Sequence, residues 1–200
     1  KDLIENIEEL AEKKEYASNT YTFFGSIPII AESNRISGQE SVRFLIFCII
    51  LIFLLLLYYI RNVVLAFIPI LVSLFSVAWT FGIFSLRGHT TNMVAAMIPL
   101  IILVLTIALT VHIISRYQHY CLRMGSGRKA IILAINSVFK PCLYTSVTTF
   151  VGFLAFLTSD MAPVKTAGLY TGFGILLSFG MSFTLLPAMM GFLKIRKSKR

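Results

Sequence analysis

The sequence predicts an all-α polytopic membrane protein with five transmembrane helices, and three observations carry that reading. Hydrophobic residues make up 57% of the 200 residues and charged ones 14%, with a mean hydropathy of +0.83. A soluble domain of this size has no interior large enough to hide so much apolar surface, whereas lipid requires no hiding. Five apolar stretches follow one another after residue 43. Between Ser41 and Arg200 there is a single acidic residue, Asp160, and it lies outside every one of those stretches. A carboxylate inside a span is costly and marks an ion path; these spans hold none.

Residues 1–42 differ in character, holding eight of the nine acidic residues. Asp2 and Glu5 have the spacing of a capping box, and Leu3, Ile7, Leu10 and Ala11 share one helical face. Thr20 to Phe24 is aromatic and β-branched and is stopped by Gly25-Ser26, which predicts a short strand. Pro28 suits a helix N-terminus, and the polar stretch from Ala31 to Arg43 is expected to run as helix into the membrane. A lone helix–strand–helix cannot bury a core. The segment is therefore expected to be a short α/β remnant, the tail of a larger soluble domain.

Five spans are predicted over 43–193: Phe44–Ile60, Val63–Leu86, Met93–Ser115, Pro141–Thr158 and Thr166–Leu193. Each reaches the length of about 17 residues that crosses roughly 30 Å of hydrocarbon at about 1.5 Å per residue. Only Arg61-Asn62 parts the first two, which predicts a tight helical hairpin. Between the third and fourth spans, Arg128–Phe139 sets Ile131, Ile135 and Val138 on one face after the break at Gly125-Ser126-Gly127. That pattern predicts an amphipathic helix over 128–139 lying in the membrane interface. Residues 194–200 form a basic tail.

The net charge of +9 serves topology and is no nucleic-acid footprint. One side collects Arg61, Arg116, Arg123, Arg128, Lys129, Lys140 and the five basic residues of the tail, eleven in all. The inter-span loops of the other side hold Arg87 and Lys165. The basic side is expected to be cytoplasmic, placing the N-terminal segment outside and the tail inside a plasma or inner membrane. Cys48, Cys121 and Cys142 have no metal-ligand spacing and read as inert thiols. There is no Walker-type glycine loop, no carboxylate pair and no Cys/His cluster. No enzyme, cofactor or metal is expected.

The sequence of short motifs has a recognisable order. It runs Val111-His112-Ile113-Ile114-Ser115-Arg116-Tyr117, then Gly125, Ala130 and Pro141, then Thr145-Ser146-Val147-Thr148-Thr149 leading into Gly152-Phe153-Leu154. Pro163-Val164, Gly168, Gly172 and Leu186-Pro187-Ala188 complete it. This resembles the membrane half-unit of the resistance–nodulation–division (RND) superfamily, in its MMPL-like and hopanoid-exporter-like branch, which shares a helical core with sterol-sensing domains. The resemblance covers about residues 20 to 190. It implies that residues 1–42 are the C-terminal end of an exported domain and the spans helices two to six of one of two repeats, with the second RND repeat of the same protein and a homo-oligomer as partners. It implies a transporter of a hydrophobic or lipid-like substrate, drawn from membrane lipids and linked to proton motive force through another part of the protein. The alternative is a sterol-sensing-like module that binds lipid and pumps nothing. One departure bears on that choice. Proton-driven members place an Asp three or four residues before the His, where this chain has Leu109 and Ala108.

Candidate relay residues follow. His112 is the ionisable side chain set well inside a predicted span, and an imidazole titrates near pH 6.5. It reads either as a proton carrier or as a neutral interfacial group bonded to a neighbouring helix. Thr110, two residues before it, falls on a different face. Thr148 and Thr149 belong to a hydroxyl-rich start of the fourth span, which reads as helix packing at about 0.6 kcal/mol per contact or as a conduit facing His112. Gly168-x-x-x-Gly172 gives the fifth span a smooth face for close helix packing.

Overall fold

A computed structural model describes residues 26–88, 92–124 and 127–192. The expected helix–strand over residues 1–25 and the tail 194–200 lie outside the described residues. Five helices are long and apolar enough to cross a membrane. They are α1 (Ser26–Ile60), α2 (Val63–Leu86), α3 (Ile98–Met124), α4 (Arg128–Leu154) and α5 (Ala162–Phe192). Short 3-10 turns, Ala95–Met97 and Ala155–Thr158, precede α3 and follow α4. No strand occurs among the described residues. The polar approach and the first span form one uninterrupted helix, as the sequence predicts.

The α1–α2 hairpin is closed by two residues. Arg61 takes the left-handed conformation, with φ of 54°, and Asn62 caps α2 by accepting from the Val64 and Leu65 amides at 3.1 and 3.3 Å. At the opposite end Asn92 accepts from the Ala95 amide at 2.8 Å and so starts the turn into α3. These caps satisfy amides that have no partner inside their own helix.

Helices α2, α3, α4 and α5 form a four-helix bundle in which α3 and α5 touch each other and both flanking helices. α1 lies outside it, against α2 and α3. Among the described side chains of α1, the buried ones are Leu56 and Ile60, near its end. There the Gln118 amide donates to the Ile60 carbonyl at 3.2 Å, and Tyr59 and Ser115 share a hydroxyl hydrogen bond of 3.2 Å. The outer surface is apolar. Phe47, Tyr58, Trp79, Leu86 and Tyr144 are all exposed, as expected where the solvent is lipid.

Two boundaries differ from expectation. α3 does not stop at Ser115 but continues to Met124. Arg116 and His119 are exposed, yet Tyr117 between them is buried and extends the face of Ile113 and Ile114. Hydropathy ends at the first charge, but the helix follows its buried face. The predicted interfacial helix over 128–139 and the fourth span are likewise one helix, Arg128–Leu154. The apolar face of residues 128–139 is not turned to the membrane surface. Ala130, Ile131, Ala134 and Val138 are buried in the same cluster as Tyr117, Leu186 and Met190. Pro141 removes a single amide donor, which a helix held by such packing tolerates.

Candidate functional site

A groove of about 270 Å³ lies between α3 and α4, with Ile175 of α5 also lining it. The α3 wall is built by Ala108, His112 and Arg116, one helical turn apart, with Leu105 and Leu109 beside them. The α4 wall carries Ser137, Pro141, Thr145, Ser146 and Thr149. Most of these hydroxyls are occupied by their own helix. Thr149 donates to the Thr145 carbonyl at 2.7 Å, Thr145 to Pro141 at 2.9 Å and Ser137 to Ala134 at 2.8 Å. Ser146 differs: its Oγ is buried and has no hydrogen-bond partner.

The groove is electropositive. Arg116 lines it, and the one ion pair among the described residues is elsewhere, Arg43 to Glu40 at 3.0 Å on the exposed flank of α1. His112 is exposed to the groove and makes no hydrogen bond among the described residues. Ala108 stands one turn above it, also exposed, whereas Leu109 is 8% exposed. A carboxylate at position 108 would therefore face the open groove, and one at 109 would be largely enclosed. No group of three potential metal ligands occurs among the described residues.

The structure divides the relay residues suggested by the sequence. His112 and Thr149 line the same groove. Thr110 is fully buried on another face and donates to the Thr106 and Ile107 carbonyls at 3.0 and 2.9 Å. Thr148 is exposed and donates to the Tyr144 and Thr145 carbonyls at 2.9 and 3.0 Å, without lining the groove. Gly168 and Gly172 sit where α5 meets the end of α4. A Cβ at Gly168 would lie 2.5 Å from Phe156 Cβ and 2.8 Å from the Phe153 carbonyl oxygen, and one at Gly172 would lie 3.1 Å from the Phe150 ring.

Sequence reasoning reached only the α3 part of a second polar feature. Ser73, Ser76 and Thr80 on α2, Thr106 and Thr110 on α3, and Thr171, Ser178 and Ser182 on α5 are all at most 1% exposed. Their spacings of three, four and seven residues mark helical faces, and this was the signal available in the sequence.

Together the fold and the groove define a multi-pass helical membrane protein with a cleft that combines apolar lining, hydroxyls and a cationic side chain. A family model described as the MMPL family matches residues 1–199, and the chain belongs to that family, making it an RND/MMPL-like membrane protein. No curated protein and no solved structure matches the chain.

Proposed function

We propose that this chain is the membrane module of an RND-type transporter that moves a hydrophobic or lipid-like substrate. The observation that carries the reading is the MMPL match over residues 1–199. The groove between α3 and α4 supports it, because a cleft of largely apolar lining with a few hydroxyls, His112 and Arg116 suits an amphipathic molecule. In this reading the module transports and performs no covalent chemistry. Its basic end, with Arg61, Arg123 and Arg128, faces the cytoplasm of a plasma or inner membrane, and its N-terminal segment faces outward. The second RND repeat of the same protein is its partner, and homo-oligomers are compatible with its exposed apolar flanks.

Proton coupling resides in another part of the protein. Ala108 and Leu109 offer no carboxylate at the groove, and Thr110 and Thr148 do not share it with His112. The test is transport of fluorescent lipid by the full-length protein in vesicles, with a pH gradient imposed and then collapsed by an ionophore. His112→Ala is expected to retain gradient-dependent transport within about twofold of wild type, since general acid–base participation is worth about 10²–10⁴-fold where it operates. A hundredfold loss of the gradient-dependent part would assign the relay to His112. The missing carboxylate also favours a second reading, a sterol-sensing-like module that binds lipid without pumping. Lipid binding without gradient-dependent transport by the full-length protein would establish that reading instead.

A further inference from the structure

The buried hydroxyls between α2, α3 and α5 have a definite register. Gly174 provides the reference point, because a Cβ there would lie 2.5 Å from Ile102 Cδ1 and 2.8 Å from Thr80 Cγ2. Gly174, Thr80 and Ile102 thus share one level of the bundle. α5 and α3 run in the direction opposite to α2, so one turn further along brings Ser178 level with Ser76 and Thr106. A second turn brings Ser182 level with Ser73 and Thr110. Two tiers of three hydroxyls stand one above the other, about 5.4 Å apart.

The hydrogen bonds within these tiers are unequal. Ser76 donates to the Val72 carbonyl at 3.0 Å, Thr106 to Ile102 at 2.6 Å, Ser73 to Ile70 at 2.8 Å, and Thr110 to Thr106 at 3.0 Å. Each of those hydroxyls has used its only hydrogen on its own helix and offers lone pairs to the interior. Ser178 and Ser182 have neither donor nor acceptor partner, though both are 0% exposed. By that register unpartnered donors and acceptor oxygens share each level, and no hydrogen bond joins them across the helices among the described residues. A buried water typically makes about three hydrogen bonds to otherwise unsatisfied groups. One water per tier can accept the serine hydrogen and donate its own two hydrogens to the facing oxygens.

We propose that the core between α2, α3 and α5 binds internal water in two tiers, seated on Ser178 and Ser182. Uncharged water suits the site better than a metal cation, because no carboxylate lies in α2, α3 or α5 to balance a charge. The site is separate from the groove between α3 and α4 and does not depend on what that groove carries.

Two measurements on the full-length protein decide it. In a cryo-electron microscopy map good enough to show ordered solvent, density is expected within hydrogen-bond distance of Ser178 Oγ and Ser182 Oγ. Direct closure of these hydroxyls onto Ser76 and Ser73, or an empty space, overturns the proposal. In thermal unfolding, Ser178→Ala and Ser182→Ala are each expected to lower the midpoint by about 2–4 °C through the loss of a satisfied polar site. A dry core gives the opposite sign, since Ala would then remove an unsatisfied hydroxyl, and an unchanged or raised midpoint refutes hydration. A midpoint that shifts when sodium is exchanged for N-methylglucamine at constant ionic strength would replace water by a cation.

Discussion

Placing an alanine at Gly168 tests the close approach of α5 to the end of α4. Gly to Ala inside a helix gains about 1 kcal/mol from backbone entropy. Against this, the new methyl would stand 2.5 Å from Phe156 Cβ and 2.8 Å from the Phe153 carbonyl oxygen, well inside the carbon contact distance of about 3.5–4.0 Å. Neither obstacle is the end of a flexible side chain, so relief requires α5 to move off α4 or the turn after Leu154 to shift. Overpacking of this kind costs typically about 1–3 kcal/mol. The net expectation is a loss of about 1–2 kcal/mol. Gly180, with nothing within 4 Å of a built Cβ, is the control, and Gly180→Ala should gain up to about 1 kcal/mol. Gly172→Ala should fall between, because its obstacle at 3.1 Å is the edge of the Phe150 ring, which can turn aside. The assay is reversible denaturant unfolding of the full-length protein in mixed micelles. Equal stability of the Gly168→Ala and Gly180→Ala proteins would refute close packing at Gly168.

Other predictions are more local. Asn62→Ala removes the cap that accepts from the Val64 and Leu65 amides and should cost about 1 kcal/mol in the same assay; no loss would show the hairpin closing without it. With Cys48, Cys121 and Cys142 replaced by Ala, a cysteine at Lys165 should react with an impermeant maleimide added to intact cells. A cysteine at Arg128 should react only after permeabilisation, and the reverse pattern would invert the assigned orientation.

The membrane-spanning segments were readable because their pattern is local. Val63–Leu86 was predicted with both ends as the structure has them, since Asn62 and Arg87 bound an apolar run at either side. The basic end of the bundle was harder to read. There α3 and α4 extend through residues that hydropathy assigns to a loop and a surface helix, and only the pairing of Tyr117 with Ala130 and Ile131 in one buried cluster shows why they remain helical spans. The site divides in the same way. The separation of Thr110 from His112 was implied by their two-residue spacing, but which face each would meet was not.

The sequence by itself determined the class of protein, the number of spans and the absence of a carboxylate within them, because the cost of moving charge and apolar surface between water and lipid is set residue by residue. Tertiary structure alone decided which polar residues meet. It set His112, Arg116 and Thr149 along one open groove. It buried Thr106 and Thr110 within the bundle, and it left Ser146, Ser178 and Ser182 buried without partners. Helical spacing gives each span its faces, but the rotation of each helix about its axis is set only by the side chains packed against it.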